Sequence, residues 1–260
     1  MKITALVENI SHNDLRSKHG LSLYIETNNH KVLFDLGPDQ TLFDNCLKRG
    51  ININEIDIVI ISHGHSDHGG ALKQFLQMNH HAKVYIQRSA FDNHYCKISF
   101  IKVNVGLDKQ FKNHPQVILV DGDYHIDNEL ELFVVTTKDR LYSIANKPLY
   151  TENNKDDFKH EQNLIIHGKD NYLIMGCGHK GVINILENAK RFNPSICIGG
   201  YHLYNPITKR TALLDPIIEN LRQYNIEFYT CHCTGKKAYD YLSQHLNNMH
   251  YLSCGETIEL

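Results

Sequence analysis

The sequence has 260 residues, a length that suits one large α/β domain or two small ones. Hydrophobic residues make up 42% of it, and 27 basic side chains nearly balance 29 acidic ones, which gives a formal net charge of -2. This balance argues against nucleic acid or an anionic membrane surface as a partner. No apolar stretch approaches the roughly 20 residues that a membrane-spanning helix requires.

The N-terminal segment MKITALVENIS has the pattern of a strand and not of a signal peptide, because its apolar part is short and contains a glutamate. Seven cysteines, an odd number in a chain without an export signal, indicate reduced thiols in a cytoplasmic protein. An oligomer is compatible with these features, but none of them predicts one.

Short β-like segments open the chain: ITALVE, LSLYIET and KVLFDLG. The pair Asn28-Asn29 between the last two predicts a hairpin. The segment TLFDNCLKRG predicts a helix that ends at Gly50. The continuous apolar run IDIVIIS predicts a strand buried on both faces, followed by a helix, GGALKQFLQM, and a strand, AKVYIQ.

The middle of the chain has a weaker pattern. Residues 89–112 predict an irregular excursion that contains a helix, whereas QVILVDG and LELFVVTT again have the strand pattern. The polar residues 138–162 predict a long surface loop, a kind of segment that is often functional.

The C-terminal part begins with a predicted hairpin, NLIIHG and NYLIMG, and continues with alternating helices and strands: VINILENAKRF, SICIGG, LLDPIIENLRQY, IEFYT, KKAYDYLSQHL and TIEL. We find no internal repeat and no domain break. The pattern therefore predicts an α/β fold in a single domain over residues 1–260. We expect two mixed sheets packed face to face with helices on both outer faces, an αββα sandwich.

The stretch ISHGHSDHGGAL, residues 61–72, has the most specific chemical signal in the chain. His63 and His65 are two residues apart just past a predicted strand, so extended backbone points both imidazoles the same way. Asp67 and His68 follow at the start of a predicted helix. Imidazole and carboxylate are ligands that suit Zn²⁺, Fe or Mn. Two such pairs in one loop indicate two metal ions, each needing further ligands from elsewhere.

The motif SHGHSDHGG resembles the H-x-H-x-D-H signature of the metallo-β-lactamase fold superfamily. The segments VENISHNDLRSKHGLSLYIET, VLFDLG, MGCGHKGVINIL, GGYHL and CHCTG resemble the branch of the archaeal dihydropterin–ribofuranosylaminobenzene-phosphate synthases. The resemblance covers nearly the whole chain and is weakest at about residues 89–158. It implies a binuclear metal site but does not fix the substrate.

The resemblance implies a set of six metal ligands: His63, His65, Asp67, His68, His179 and His232. In this set, His179 completes the first pair and His232 completes the second. His160, near a third histidine motif of other superfamily members, is an alternative to His179. Each of these residues outside the loop could instead be an ordinary histidine at a strand end.

The sequence departs from the superfamily pattern at Cys177. Most members have an aspartate there that bridges the two metals. A thiolate could also bridge, but we favour a buried neutral thiol beside the metals. In Cys231-His232-Cys233, strand alternation would direct the two cysteines away from the histidine. We therefore favour His232 as the ligand.

Two further residues have roles implied by the resemblance. His202 in GGYHL lies beside the metals in the branch, so we predict a substrate contact or a proton donor, with a structural histidine as the alternative. Asp35 in LFDLG resembles the buried aspartate that supports the metal-ligand loop by accepting an imidazole N–H. Asp67 and His202 are the predicted catalytic residues.

Two predicted helix starts have the features of anion sites. Thr234 and Lys236 follow the CHC segment, and Lys180 follows His179. Backbone N–H groups and the helix dipole favour an anion at such positions, although a lysine near a helix start is usually only solvated. Together they favour a small-molecule substrate that carries phosphate or carboxylate.

We therefore predict a hydrolase with two divalent metal ions, zinc in the first place and iron or manganese as alternatives. A dihydropterin-type synthase is one alternative, with Tyr142, Tyr201 or Tyr204 stacking on the pterin. A binding module without turnover is another. A redox di-iron protein is disfavoured because His65 stands where such relatives usually have glutamate.

Overall fold

The computed structural model describes residues 1–137, 141–205, 210–211 and 214–260. The chain divides into two compact units. Unit 1 comprises residues 1–95, 104–121 and 252–260, and unit 2 comprises residues 96–103 and 122–251.

Strands make up most of the regular structure. In chain order, those of the described residues are β1 (Lys2–Val7), β2 (Ser22–Glu26), β3 (Lys31–Phe34), β4 (Ile58–Ile61), β5 (Lys83–Gln87), β6 (His94–Ile98), β7 (Ile101–Asn104), β8 (Val117–Val120), β9 (Tyr124–His125), β10 (Leu130–Phe133), β11 (Leu149–Thr151), β12 (Asn154–Lys155), β13 (Asn163–Ile166), β14 (Asn171–Ile174), β15 (Pro194–Gly199), β16 (Tyr204–Asn205), β17 (Arg210–Thr211), β18 (Glu227–Thr230), β19 (Met249–Tyr251) and β20 (Thr257–Glu259).

The α-helices of the described residues are α1 (Thr41–Arg49), α2 (Ser66–Gly69), α3 (Leu72–Met78), α4 (Val182–Ala189), α5 (Leu214–Leu221) and α6 (Lys236–His245). Short 3-10 helices cover Ile53–Glu55, Arg88–Phe91, Lys109–Asn113, Ile144–Asn146, Lys190–Phe192 and His232–Thr234. Within the described ranges, no helix is long and apolar enough to cross a membrane.

Unit 1 contains a seven-stranded mixed sheet in the order β20-β1-β2-β3-β4-β5-β8. Pairing is antiparallel from β20 to β3 and parallel from β3 to β8. The hairpin predicted at Asn28-Asn29 is present, with Glu26 opposite Lys31. All four residues of β4 are buried, which explains its uninterrupted apolar sequence. Because β3, β4 and β5 are parallel, the chain leaves all three at the same edge of the sheet.

Helices α1 and α3 pack on this sheet. Phe43 of α1 and Phe75 of α3 belong to one core cluster with Leu33 and Val59 of the strands. Burying each aromatic side chain stabilises the fold by about 1.5–3 kcal/mol. Helix α1 ends as predicted at Gly50, whose φ of 68° is in the left-handed region that favours glycine.

Unit 2 contains the second seven-stranded mixed sheet, in the order β19-β18-β15-β14-β13-β10-β9. Pairing is parallel from β19 to β14 and antiparallel from β14 to β9. Side chains of α4, α5 and α6 form its core cluster with the strands, Leu186, Ile218 and Leu242 among them. The predicted fold class, α/β with two mixed sheets and accompanying helices, is confirmed.

The expectation of an irregular excursion with a helix over residues 89–112 is wrong in part. The chain forms the β6–β7 hairpin there, flanked by 3-10 helices, and a smaller sheet has the order β12-β11-β6-β7. All four residues of β7 are exposed. The sequence of β7, IKVN, alternates apolar and polar residues, but a run of four residues is too short to identify a strand by its pattern alone.

The expectation of a polar surface loop over residues 138–162 is also wrong in part. Lys138, Asp139 and Arg140 lie outside the described residues. Of the rest, Asn146 and Glu161 are buried and Phe158 is fully buried. These residues are therefore in the interior of unit 2, where the polar ones make the contacts described below, whereas residues 152–155 of the same segment are exposed. All seven cysteines lie in described ranges, and none of them forms a disulfide there.

Candidate metal centre

The chain beyond β4 brings two imidazoles of the motif together. The backbone at His65 is extended, with φ -99° and ψ 144°. His63 Nε2 lies 3.1 Å from His65 Nδ1, and both side chains are buried. Two nitrogen ligands of a tetrahedral zinc ion, each at about 2.0–2.1 Å, lie about 3.3 Å apart. The pair has the spacing of two ligands on one metal ion.

Asp67 and His68 form a second donor pair in the same loop. They lie in the single-turn helix α2, which begins directly after His65. Asp67 Oδ2 is 3.6 Å from His68 Nε2. This separation is also close to the roughly 3.4 Å between two ligands of one tetrahedral ion. The ring centroids of His63 and His68 are 4.1 Å apart, so the two pairs are neighbours.

Asp35 supports this loop from the end of β3. Its Oδ1 accepts the N–H of Ser62 at 2.7 Å, and its Oδ2 lies 2.7 Å from Ser62 Oγ and 2.6 Å from His68 Nδ1. The side chains of Asp35 and His68 are both fully buried. A carboxylate only accepts hydrogen bonds, so Nδ1 of His68 carries the proton and Nε2 offers its lone pair. The predicted contact between Asp35 and a motif imidazole is present.

Gly64, between His63 and His65, permits a close approach of the motif loop to Ala90 and His94. A Cβ at this position would lie 2.5 Å from Ala90 O and 2.7 Å from His94 Nε2. His94 is fully buried, and its ring centroid is 5.8 Å from that of His65. No local pattern in the sequence around His94 indicates that it packs beside the motif, so its position is revealed only by the structure.

His19 is a second histidine beside the motif that was not among the predicted site residues. Its Nε2 lies 3.4 Å from Asp67 Oδ2, and its side chain is 66% exposed. The neighbouring Gly20 lets the two segments meet, since a Cβ there would lie 2.5 Å from Asp67 O. The one feature of the sequence that could have indicated a role for His19 is its position in the segment SKHGLS, which resembles the synthase branch.

In unit 2, the other predicted residues follow three adjacent parallel strands. Cys177 and His179 come after β14, His202 after β15, and His232 after β18. The carboxyl ends of parallel neighbours lie at one edge of a sheet, where α/β proteins bind ligands. The four residues therefore follow strand ends that lie at one edge of the unit 2 sheet.

His179 is fixed by side chains of the segment predicted to be a surface loop. Asn146 Oδ1 lies 2.9 Å from His179 Nδ1, and Asn146 Nδ2 donates to the carbonyl oxygen of His179 at 2.8 Å. The ring of Phe158 stacks on the imidazole at 4.4 Å with an interplanar angle of 5°. The amide oxygen of Asn146 accepts a hydrogen bond from the Nδ1 proton of His179. The lone pair on Nε2 is therefore available to a metal ion. His160, the predicted alternative ligand, has its Nε2 3.2 Å from Asp156 Oδ2.

Glu161 binds the backbone that precedes α4. Its Oε1 accepts the N–H of His179 at 2.6 Å, and its Oε2 accepts the N–H of Lys180 at 2.8 Å. The sequence predicted an anion site at this helix start, and the anion held by these two N–H groups is the carboxylate of Glu161. The Lys180 side chain is itself buried. Its role in binding a substrate stays a prediction.

In the other predicted anion site, the side chains of Thr234 and Lys236 bind other residues of the protein. The Thr234 hydroxyl accepts the N–H of Tyr201 at 2.9 Å and is hydrogen-bonded to the Thr230 hydroxyl. Lys236 Nζ forms an ion pair with the Asp240 carboxylate at 2.7 Å. These contacts explain both residues structurally, and their roles in substrate binding stay predictions.

His202 lies beside His179, with ring centroids 4.2 Å apart. Its φ of 46° is left-handed, its N–H donates to Cys233 Sγ at 3.3 Å, and its carbonyl oxygen accepts a hydrogen bond from the Ser143 hydroxyl. These contacts hold the imidazole next to a predicted ligand, where a substrate contact or proton donor is expected.

The CHC segment does not continue the alternation of β18. Cys231 is extended with φ -158°, and the chain then enters a 3-10 helix in which His232 has φ 48°. Cys177 Sγ, a ring nitrogen of His232 and Cys233 Sγ all lie within 4.8 Å of one another. The expectation that both cysteines of the segment face away from His232 is therefore wrong for Cys233.

The donor chemistry of both units fits divalent metal ions. Imidazole nitrogen, carboxylate oxygen and thiolate sulfur are ligands of zinc and iron, and nitrogen and oxygen also suit manganese. Unit 1 offers His63, His65, Asp67 and His68. Unit 2 offers His179 and the group formed by Cys177, His232 and Cys233.

These features define an α/β protein with candidate metal ligands at the carboxyl ends of its parallel strands. Residues 17–186 match the family model described as the metallo-beta-lactamase superfamily. The chain therefore belongs to the metallo-beta-lactamase superfamily, as its motif predicted.

Two relatives come from Methanocaldococcus jannaschii. The uncharacterized protein MJ0448 is 27% identical over 260 residues, which cover 98% of this chain and 99% of that protein. A 7,8-dihydropterin-6-methyl-4-(beta-D-ribofuranosyl)-aminobenzene-5'-phosphate synthase is 24% identical over 249 residues, which cover 85% of this chain and 83% of that enzyme.

Among solved structures, Tm1679 is described as a metal-dependent hydrolase of the beta-lactamase superfamily. It is 27% identical to this chain, with a TM-score of 0.83 and coverage of 100% of this chain and 99% of that one. The protein thus has the fold of a metal-dependent hydrolase of this superfamily.

Proposed function

We propose that this protein is a binuclear metal-dependent hydrolase whose small substrate carries a phosphate or carboxylate group. Two donor spacings in one loop carry the proposal: 3.1 Å between nitrogens of His63 and His65, and 3.6 Å between Asp67 Oδ2 and His68 Nε2. Each spacing suits two ligands of one ion. Membership of the superfamily and the likeness to Tm1679 support hydrolysis.

We assign His179 to the first ion and His232 to the second, following the motifs of the superfamily. The contacts around two of the proposed ligands support a ligand role. Asp35 holds Nδ1 of His68 and Asn146 holds Nδ1 of His179, so each ring offers Nε2. Such outer partners fix the tautomer and orientation of a ligating imidazole.

When bound, divalent metal ions activate water for attack and polarise the bond that is cleaved. The side chains of the protein orient the reactants. Asp67 serves as a ligand from the exposed side of its loop, where its side chain is 25% exposed. His202, next to His179, donates a proton to the leaving oxygen, a role that suits an imidazole near neutral pH.

A second candidate function is a transferase of the dihydropterin synthase type, which releases diphosphate. The 24% identical relative with that printed activity favours it. Of the three tyrosines that could stack on a pterin, Tyr201 is fully buried in the core of unit 2. Only Tyr142 and Tyr204, both partly buried, have the exposure that stacking on a ligand requires.

Elemental analysis of the purified protein, paired with a screen of phosphodiester, phosphomonoester, lactone and thioester substrates, tests the proposal. We expect two divalent ions per chain and turnover of one substrate class. His63→Ala and Asp67→Ala should each lower metal content and abolish turnover. His80→Ala, at an exposed position, should change neither. Full turnover by metal-depleted protein would exclude the proposal.

The transferase candidate gives a different result in the same screen. A synthase would hydrolyse none of these substrates, but would bind a dihydropterin diphosphate in calorimetric titration. Hydrolysis without such binding excludes the transferase, and binding with transfer to an aminobenzene excludes the hydrolase.

A further inference from the structure

We infer that unit 2 contains a sulfur-rich metal site formed by Cys177, His232 and Cys233. One donor atom from each residue lies within 4.8 Å of the other two. The inference rests on the proposed function, because it concerns the ion assigned to His232. It adds that two thiolates bind this ion and that the ion is a thiophilic one.

The spacing of the three donor atoms is compatible with chelation. Zinc binds sulfur at about 2.3 Å and nitrogen at about 2.0–2.1 Å, so tetrahedral geometry requires ligand atoms about 3.5–3.8 Å apart. The observed upper limit of 4.8 Å exceeds this by about 1 Å. The three donor atoms are therefore close enough together to be drawn onto one ion.

The backbone around Cys233 is shaped to admit its sulfur atom. A Cβ on Gly200 would lie 2.5 Å from Cys233 Sγ, so only glycine leaves room for the sulfur at this position. The left-handed conformation of His232 turns the chain at the same point. Together, these features bring Cys233 to the side on which Cys177 and His232 lie.

Hydrogen bonding around Cys233 suits a thiolate. The backbone N–H of His202 donates to Cys233 Sγ at 3.3 Å, and such a donor stabilises negative charge on sulfur. In the thiol form, Cys233 Sγ also donates to the carbonyl oxygen of Cys177 at 3.3 Å. Binding of a metal ion would replace that proton while the N–H contact stays in place.

Sulfur ligands determine which ion the site prefers. Thiolates select zinc, cadmium, cobalt or iron over manganese and magnesium, which prefer oxygen. Cys177 is 3% exposed, whereas Cys233 is only partly buried. An ion would therefore reach the site past Cys233, and the Cys177 sulfur would bind it from the interior.

Titration of the metal-depleted protein with Co²⁺ tests the inference by absorption spectroscopy. Thiolate ligands give an intense sulfur-to-cobalt charge-transfer band in the near ultraviolet, whereas nitrogen and oxygen ligands give only weak visible bands. We expect the intense band in the wild-type protein and its loss or marked weakening in Cys177→Ser and Cys233→Ser. Two matched controls should keep it: Cys231→Ser, next to the site, and Cys96→Ser, a partly buried thiol of β6.

The outcomes separate this inference from the proposed function. Weak visible bands without the charge-transfer band would overturn the sulfur site and leave the metallohydrolase proposal intact. Failure of Co²⁺ to bind at all would overturn both. Loss of the band in the controls as strongly as in the two test variants would also overturn the assignment. If a serine variant does not fold, cadmium NMR of the wild-type protein decides, since thiolate ligands shift the resonance strongly to high frequency.

Discussion

His68 Nδ1 lies 2.6 Å from Asp35 Oδ2, and both side chains are fully buried. Asp35 also binds the backbone and hydroxyl of Ser62, so a single carboxylate fixes the start of the motif loop and one of its imidazoles. The contact therefore determines both the conformation of the loop and the atom that His68 offers to a metal ion.

Asp35→Asn should weaken metal binding by about 10–100-fold, the usual effect of removing the outer partner of a ligating histidine. An amide can present its NH₂ group to His68 Nδ1, which disturbs the tautomer that the carboxylate selects. Competition with a chromophoric chelator measures the affinity of the variant and the wild type.

Asp57→Asn is the matched control. Asp57 Oδ2 also lies 2.6 Å from a histidine, His30, but its side chain is 40% exposed. This variant should bind metal as the wild type does. Equal weakening in both variants would show that the effect is a general loss of stability and not one on the ligand His68.

Glu161→Gln should destabilise unit 2. The carboxylate accepts two backbone N–H groups, those of His179 and Lys180, and an amide can accept only one of them. Loss of one hydrogen bond to a charged group lowers the free energy of unfolding by about 1.5–3 kcal/mol, which urea denaturation measures. Glu131→Gln, which removes a partly exposed partner of His167, should lower it by less than about 1 kcal/mol.

Gly64→Ala should reduce stability and metal affinity together. The added Cβ meets Ala90 O at 2.5 Å, so the loop between His63 and His65 must shift, at a cost of about 1–3 kcal/mol. Thermal unfolding and chelator competition measure the two effects. Gly168→Ala, in which the new Cβ lies 3.2 Å from Asp170 O and away from the motif, should lower stability less and leave metal affinity unchanged.

Stability should fall at alkaline pH in a way that depends on Cys254. Burial, with a smaller effect of the Glu8 charge, raises the pKa of this thiol from 9.0 to about 11. The neutral thiol donates to Leu6 O. A raised pKa means that the folded protein favours the protonated thiol. The contribution of Cys254 to the free energy of unfolding is therefore complete below pH 9 and is lost as the pH rises toward 11, by about 1.4 kcal/mol per pH unit.

Cys254→Ala lacks this titrating thiol. The difference in free energy of unfolding between the variant and the more stable wild type should therefore shrink between pH 9 and pH 11. Urea denaturation of both proteins across this range gives the difference directly. A deficit that is constant with pH would show that the thiol titrates alike in the folded and unfolded chains.

His202→Gln should lower kcat by about 10²–10⁴-fold, the usual contribution of a proton-transferring side chain. Metal content should stay at the wild-type value, because His202 is not among the proposed ligands. Kinetics with the substrate found by the screen, alongside elemental analysis, separates the two quantities. A loss of metal equal to that of His63→Ala would show that His202 is itself a ligand.

The sequence by itself was sufficient to predict the features that depend on local backbone geometry. The apolar run of β4 predicted a strand buried on both faces, and the spacing of His63, His65, Asp67 and His68 predicted two donor pairs. The geometry within that loop agrees, because the extended backbone at His65 and the turn of α2 are set by neighbouring residues. The two mixed sheets also followed from the order of strand and helix patterns.

Only the tertiary structure revealed the residues that support this chemistry from distant parts of the chain. Asn146 and Glu161 belong to a segment whose polarity predicted an exposed loop, yet both are buried against His179. His94 comes from a segment predicted to be irregular, and it packs against Gly64. Cys233 joins Cys177 and His232 because the chain leaves β18 through a left-handed turn.

The physical reason is the range of the interactions concerned. Hydrophobic periodicity and ligand spacing act over a few residues, so each segment reveals them by itself. A buried polar side chain is satisfied by partners that folding brings near, such as Asn146 and His179, 33 positions apart in the sequence. No local pattern encodes such a partner, and only the assembled sheet edges decide which polar residues become part of the site.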